Sequence, residues 1–153
     1  MIKLAIDPNR RKSGVAYIHS KDNKINISDM RLWDLFSKLK SGSLSLMVYI
    51  KADWIKKEAN FNTLHGQNKT DTDKLVRRLG EDYATGKQIA DFCVFHQINY
   101  VLVSPEDEIW SNPPIKHDEV LEKLRFQDHN LKPITNQPTR NAIILLLDLI
   151  KNG

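Results

Sequence analysis

With one cysteine, Cys93, the chain cannot close an intrachain disulfide or build a cysteine-rich zinc site. A reducing, cytoplasmic setting is therefore expected. Glycine and proline number six each, and they do not cluster into a linker, a repeat or a glycine-rich phosphate loop. No apolar run approaches the ~20 residues a membrane helix needs; the longest, 142–147, suits a buried helix face. The opening MIKLAIDPNR has no signal-peptide core. No Ser or Cys stands in a setting that marks a nucleophile. What these absences leave is one globular domain of 153 residues, long enough to bury a core without staples.

Charge is mildly unbalanced, with 23 Lys and Arg against 19 Asp and Glu, for a net +4. That excess is compatible with a polyanionic partner but does not identify one, so its placement matters more. Arg10, Arg11 and Lys12 share a turn. Lys56 and Lys57 follow a strand, and Lys74, Arg77 and Arg78 lie on one helical face with spacing suited to gripping a phosphate backbone. A solvated helix face explains that last stripe about equally well.

Alternation of Ile2, Leu4 and Ile6 with Lys3 and Ala5 predicts a strand that Asp7-Pro8 stops. Strands over 15–19 and 24–28, joined by tight turns, complete an antiparallel meander. Ser28 or Asp29 is placed to cap a helix whose apolar positions are Leu32, Leu35, Phe36 and Leu39, with Gly42 just past its end. Residues 44–50 read as a buried central strand. Residues 55–70 have no clear assignment. A long helix follows from Asp71 or Thr72 to about His96, then a strand over 100–103 and a short helix over roughly 118–125. A mostly apolar helix over 140–151, capped by Thr139, closes the chain. A meander followed by crossovers predicts an α/β domain with a five-stranded mixed sheet, two of its strands parallel, and helices on both faces.

That element order, opened by Ala5-Ile6-Asp7-Pro8 and Ser13-Gly14-Val15-Ala16, resembles the ribonuclease-H-like superfamily. Within it the chain looks like the RuvC-type Holliday junction resolvases, in particular their short phage and bacterial relatives. Residues 99–105 look like that family's fifth strand. Arg140-Asn141-Ala142, before an apolar helix, resembles its closing Arg-Asp-Ala segment. Sugar kinases and related ATPases also open with an Asp on a first strand, but they need a second such half and far more chain.

The resemblance implies a homodimeric, bacterial or phage-encoded endodeoxyribonuclease that cuts four-way or branched DNA in recombination and repair. The dimer would pair through the long helix. Two Mg²⁺ or Mn²⁺ ions ~3.5–4 Å apart would neutralise the attacking and leaving oxygens. Asp7 would bridge the ions and Asp53 would complete one of them. Asp53 lies two residues beyond Lys51, which aligns with a family glutamate. Asn141 stands where the family has aspartate, and it offers a neutral oxygen without charge. Asn141 is either a natural departure that weakens the metal site or an engineered Asp-to-Asn knockout; Lys51 and Asn141 together favour the first, since inactivation by design needs one change. The nucleic-acid contacts expected are Arg10, Arg11, Lys12, Lys51, Lys56, Lys57, Lys74, Arg77, Arg78 and Arg140. Trp54 and Phe61 could stack on bases, although core packing is the more ordinary role of each. The pairs His117-Asp118 and Asp128-His129 look like metal ligands, but loop or cap roles are commoner for such residues. The alternative from another class is a catalytically silent domain of the same fold that binds branched nucleic acid or a protein.

Overall fold

A computed structural model describes the backbone of residues 1–42, 45–52, 69–104 and 114–152, and the side chains of all of these except 69–79 and 82. Asp53, Trp54, Lys56, Lys57 and Phe61 lie outside the described residues, as do the side chains of Lys74, Arg77 and Arg78.

The meander forms as the alternation dictates: β1 (Ile2–Asp7), β2 (Ser13–His19) and β3 (Lys24–Met30) pair antiparallel in sequence order. Helix α1 (Leu32–Ser41) crosses to β4 (Leu46–Lys51), which runs parallel to β1 with Ile6 opposite Ile50. Helix α2 (Lys69–Phe95) leads to β5 (Asn99–Val103), parallel to β4. Helix α3 (His117–Lys123), the two-residue strand β6 (Asp128–His129) and helix α4 (Gln137–Asn152) complete the chain.

The sheet therefore has six strands in the order β5-β4-β1-β2-β3-β6, where five were expected. The sixth is short enough to leave no alternation in the sequence, and it joins by pairing Lys24 with Asp128 and Ile25 with His129. Two helix starts also differ from expectation. Ser28 and Asp29 extend β3 instead of capping α1, whose N-cap is Arg31 without a side-chain cap bond. Helix α4 begins a turn before residue 140, because the Asn136 side-chain oxygen accepts the Thr139 N–H at 3.0 Å and so takes the capping role expected of Thr139. Pro138 is tolerated there, since the first turn has no intrahelical partner for its missing N–H.

Successive strand residues point to opposite faces, and two cores result. Leu4, Ile6, Val15, Val48 and Ile50 pack with Leu35 and Leu39 of α1 and with Ile89, Ala90 and Cys93 of α2. Ala5, Ala16, Ile25 and Ile27 pack with Val120 of α3 and Ala142, Ile143, Leu145 and Leu146 of α4. The small residues Ala5 and Ala16 let α4 lie close to the sheet. Gly14 makes the closest approach: a Cβ there would overlap the Pro138 carbonyl and the Thr139 amide. Only glycine lets the first turn of α4 rest on the start of β2.

Candidate functional site

Asp7 is the last residue of β1 and pairs with Gly14 of β2. Lys51 is the last residue of β4, one step beyond the Ile6–Ile50 pair. Strand parity puts Asp7 on the face of Ala5 and Lys51 on the face of Tyr49, which is the face α4 covers. Two adjacent parallel strands thus end with an acid and a base side by side, aimed at the start of the closing helix.

Lys51 Nζ stands 4.0 Å from Asp7 Oδ2, and the two side chains are only 8% and 11% exposed. From α4, Asn141 Nδ2 donates to the same Asp7 oxygen at 2.9 Å. Asn141 Oδ1 accepts from Gln137 Nε2 at 2.8 Å, one helical turn back. Gln137 Oε1 in turn accepts from Arg140 Nη2 at 2.9 Å. Arg140 also donates from Nε to the Ile115 carbonyl at 3.0 Å and from Nη1 to the Thr135 carbonyl. A chain of hydrogen bonds therefore runs from the loop before α4 through Arg140, Gln137 and Asn141 to Asp7.

Of the residues expected at a metal centre, the structure brings Asp7 and Asn141 together, across 134 positions of sequence. It adds Lys51 to them and gives Arg140 backbone partners inside the protein. No group of three His, Cys, Asp or Glu side chains that could hold a metal occurs among the described residues. Among the described residues the donor set at this point does not fit a pair of divalent ions: it offers one carboxylate, Asp7, beside an ammonium and an amide that presents its N–H₂.

The turn from Asn9 to Lys12 flanks the same edge. Asn9 N–H donates to Ser13 Oγ at 3.1 Å, and Arg11 N–H donates to Asn9 Oδ1 at 3.0 Å, so local side chains hold the turn. Arg10 reaches Glu81 of α2 at 2.8 Å, Lys12 lies 4.0 Å from Asp29, and Arg11 is exposed. Lys74, Arg77 and Arg78 lie within α2. In the two His–Asp pairs, His117 Nδ1 bonds Thr135 Oγ1 at 2.9 Å, tying α3 to the loop before α4, and His129 Nδ1 accepts the Leu131 N–H at 3.1 Å.

Gln137 and Gly14 are the contributors that sequence reasoning did not assign to the site. Asn136-Gln137-Pro138 carries the signal for the first, since a cap at Asn136 puts Gln137 and Asn141 on one helix face. For Gly14 there is no local signal, because its role depends on a helix more than 120 positions away.

No protein-family model matches this chain, and no curated protein sequence is similar to it. Among solved structures, it is similar to T. thermophilus RuvC in complex with Holliday junction substrate. The identity is 10%, the match covers 96% of this chain and 91% of that one, and the TM-score is 0.53. A second Thermus thermophilus RuvC structure matches at 12% identity over 96% and 92% of the two chains, with a TM-score of 0.46. At such identity the first match shows the fold alone: a mixed α/β fold with a mixed sheet, similar to that of RuvC. No helix among the described residues is long and apolar enough to cross a membrane.

Proposed function

We propose that the chain is a RuvC-like domain that engages branched DNA, four-way junctions above all, across the sheet edge where Asp7, Lys51 and Asn141 meet. The observation that carries this reading is the likeness in fold, along 96% of the chain, to a RuvC solved with its Holliday junction substrate. The basic residues support it. Arg10, Arg11 and Lys12 border that edge on a turn braced by its own side chains, and Lys74, Arg77 and Arg78 lie on α2. Contacts of this kind position a duplex by its phosphates without reading sequence. Lys51, Lys56, Lys57 and Arg140 belong to the same proposal as outer or supporting groups, with Arg140 acting through the hydrogen bonds it gives the start of α4. A homodimer through α2 is part of this reading, because its two-fold axis would match that of the junction.

A second reading is cleavage: a Mg²⁺- or Mn²⁺-dependent endodeoxyribonuclease with Asp7, Asp53 and Asn141 at the metal centre. What favours it is the placement of Asp7 at the carboxyl end of a central strand in a fold similar to that of RuvC.

Gel-shift titrations of a synthetic four-way junction and a linear duplex, in EDTA and in Mg²⁺, test both. Preferential junction binding in EDTA with no cleavage in Mg²⁺ or Mn²⁺ supports the binding domain. Metal-dependent cutting that Asp7→Asn abolishes establishes the nuclease instead. A protein that binds the junction no better than the duplex refutes the branched-DNA reading altogether.

A further inference from the structure

We infer that the Asp7 site is compensated by the protein itself, with the Lys51 ammonium and an Arg140-oriented Asn141 in place of a divalent cation, so that it takes up neither Mg²⁺ nor Mn²⁺. The inference concerns the same residues as the junction-binding reading but does not require it.

Two independent features carry it. The first is charge. The carboxylate of Asp7 and the ammonium of Lys51 are nearly enclosed and lie 4.0 Å apart. A divalent ion seated ~2.1 Å from a carboxylate oxygen would share that oxygen's surroundings with a cation already in place. Two cations repel strongly where water is excluded.

The second is the polarity of the hydrogen-bond chain. An amide side chain can in principle turn either its oxygen or its N–H₂ toward a neighbour. Here the choice is imposed from one end. Arg140 has donors only, so it must meet the oxygen of Gln137. Gln137 then presents its N–H₂ to Asn141, whose oxygen is thereby occupied. Asn141 is left to point N–H₂ at Asp7, as observed at 2.9 Å. A metal at Asp7 would need the opposite, with an oxygen of residue 141 facing inward. Arg140 is itself anchored by the Ile115 and Thr135 carbonyls, so reversing the chain would mean moving the loop before α4.

Mn²⁺ binding, read by electron paramagnetic resonance and by the shift of the melting temperature against an ionic-strength-matched NaCl control, tests the inference. The wild-type chain is expected to leave the free Mn²⁺ signal intact at equimolar concentration and to show no Mn²⁺-specific shift. Lys51→Glu combined with Asn141→Asp is expected to deplete the free signal stoichiometrically and to melt higher with Mn²⁺ than without it. Lys51→Gln, which removes only the charge, serves as a second variant, and circular dichroism checks that both fold. Stoichiometric Mn²⁺ uptake by the wild-type chain that Asp7→Asn removes overturns the inference. So does a folded double variant that still ignores Mn²⁺. Loss of junction binding would leave these outcomes untouched and would count only against the DNA reading.

Discussion

Among the described residues, Asp7 meets Lys51 in an ion pair and accepts a hydrogen bond from Asn141, an amide that has a single workable orientation. Removing Lys51 takes a counter-charge from a nearly enclosed carboxylate, and breaking a buried pair costs ~3–5 kcal/mol. At a separation of 4.0 Å the lower end is expected for Lys51→Met, measured as loss of urea-unfolding free energy. Asn141→Asp exchanges a donor to a charged group, worth ~1.5–3 kcal/mol, for a second acid beside Asp7. It is expected to destabilise the chain by at least that amount in EDTA. Both follow from contacts whose partners are far apart in sequence. Cys93 is a different case. It packs between α2 and the sheet, and burial raises its thiol pKa from 9.0 to about 11. Because the folded value lies above the unfolded one, the contribution is present below pH ~9 and is lost as pH rises through about 11. The slope of unfolding free energy against pH over that window should be shallower for Cys93→Ala than for the wild type. In the native protein at pH 7 the thiol should resist thiol reagents and become reactive only in denaturant.

Among the elements, the first turn of α4 rests directly on the start of β2. Gly14→Ala would drive a methyl into the Pro138 carbonyl and the Thr139 amide, both backbone, so the helix must move. A loss of ~1–3 kcal/mol, the usual range for overpacking, is expected in a denaturant titration. The Asn141 side-chain amide should also shift in a ¹⁵N-labelled spectrum as its bond to Asp7 lengthens. The elements differ in how readily the sequence reveals them. Alternation in 2–6 and helical spacing from Leu32 to Leu39 reflect a single local periodicity, and both elements form where that periodicity lies. The cap at Asn136 was obscured because Thr139, three residues on, is also a capping type. β6 has no pattern of its own, since two residues cannot alternate, and it exists because β3 offers an edge. At the site, Asp7 and Asn141 were legible from the opening and closing motifs. The significance of Lys51 was not, because a strand-terminal lysine becomes an internal counter-ion only when strand register and helix position are both known.

The molecule as a whole divides its sheet between two covers, α1 and α2 on one face and α3 and α4 on the other. Near its C-terminal end α2 leaves Val94 and Phe95 exposed at 61% and 82%, and Trp33 of α1 is exposed on the same side, in edge contact with Phe36, which stacks on Phe92. If α2 forms the dimer proposed above, light scattering at micromolar concentration without DNA should return twice the chain mass of 17.7 kDa. Phe95→Glu should shift it toward the monomer. A single chain mass for the wild type at that concentration would count against the dimer.

The bond between Asp7 and Asn141 joins the first strand to the last helix, and this sets an order of events while the chain is being made. On a ribosome the meander and both parallel strands emerge well before α4. Through that interval Ala5, Ala16, Ile25 and Ile27 lack the cover of α4, and Asp7 lacks its amide. Contacts of such long sequence separation are slow to form and leave apolar surface open in the meantime. The 16-residue helix α4 is therefore the element whose docking completes the site. Until it docks, one face of the sheet lacks its main cover, and the arrangement around Asp7 cannot form.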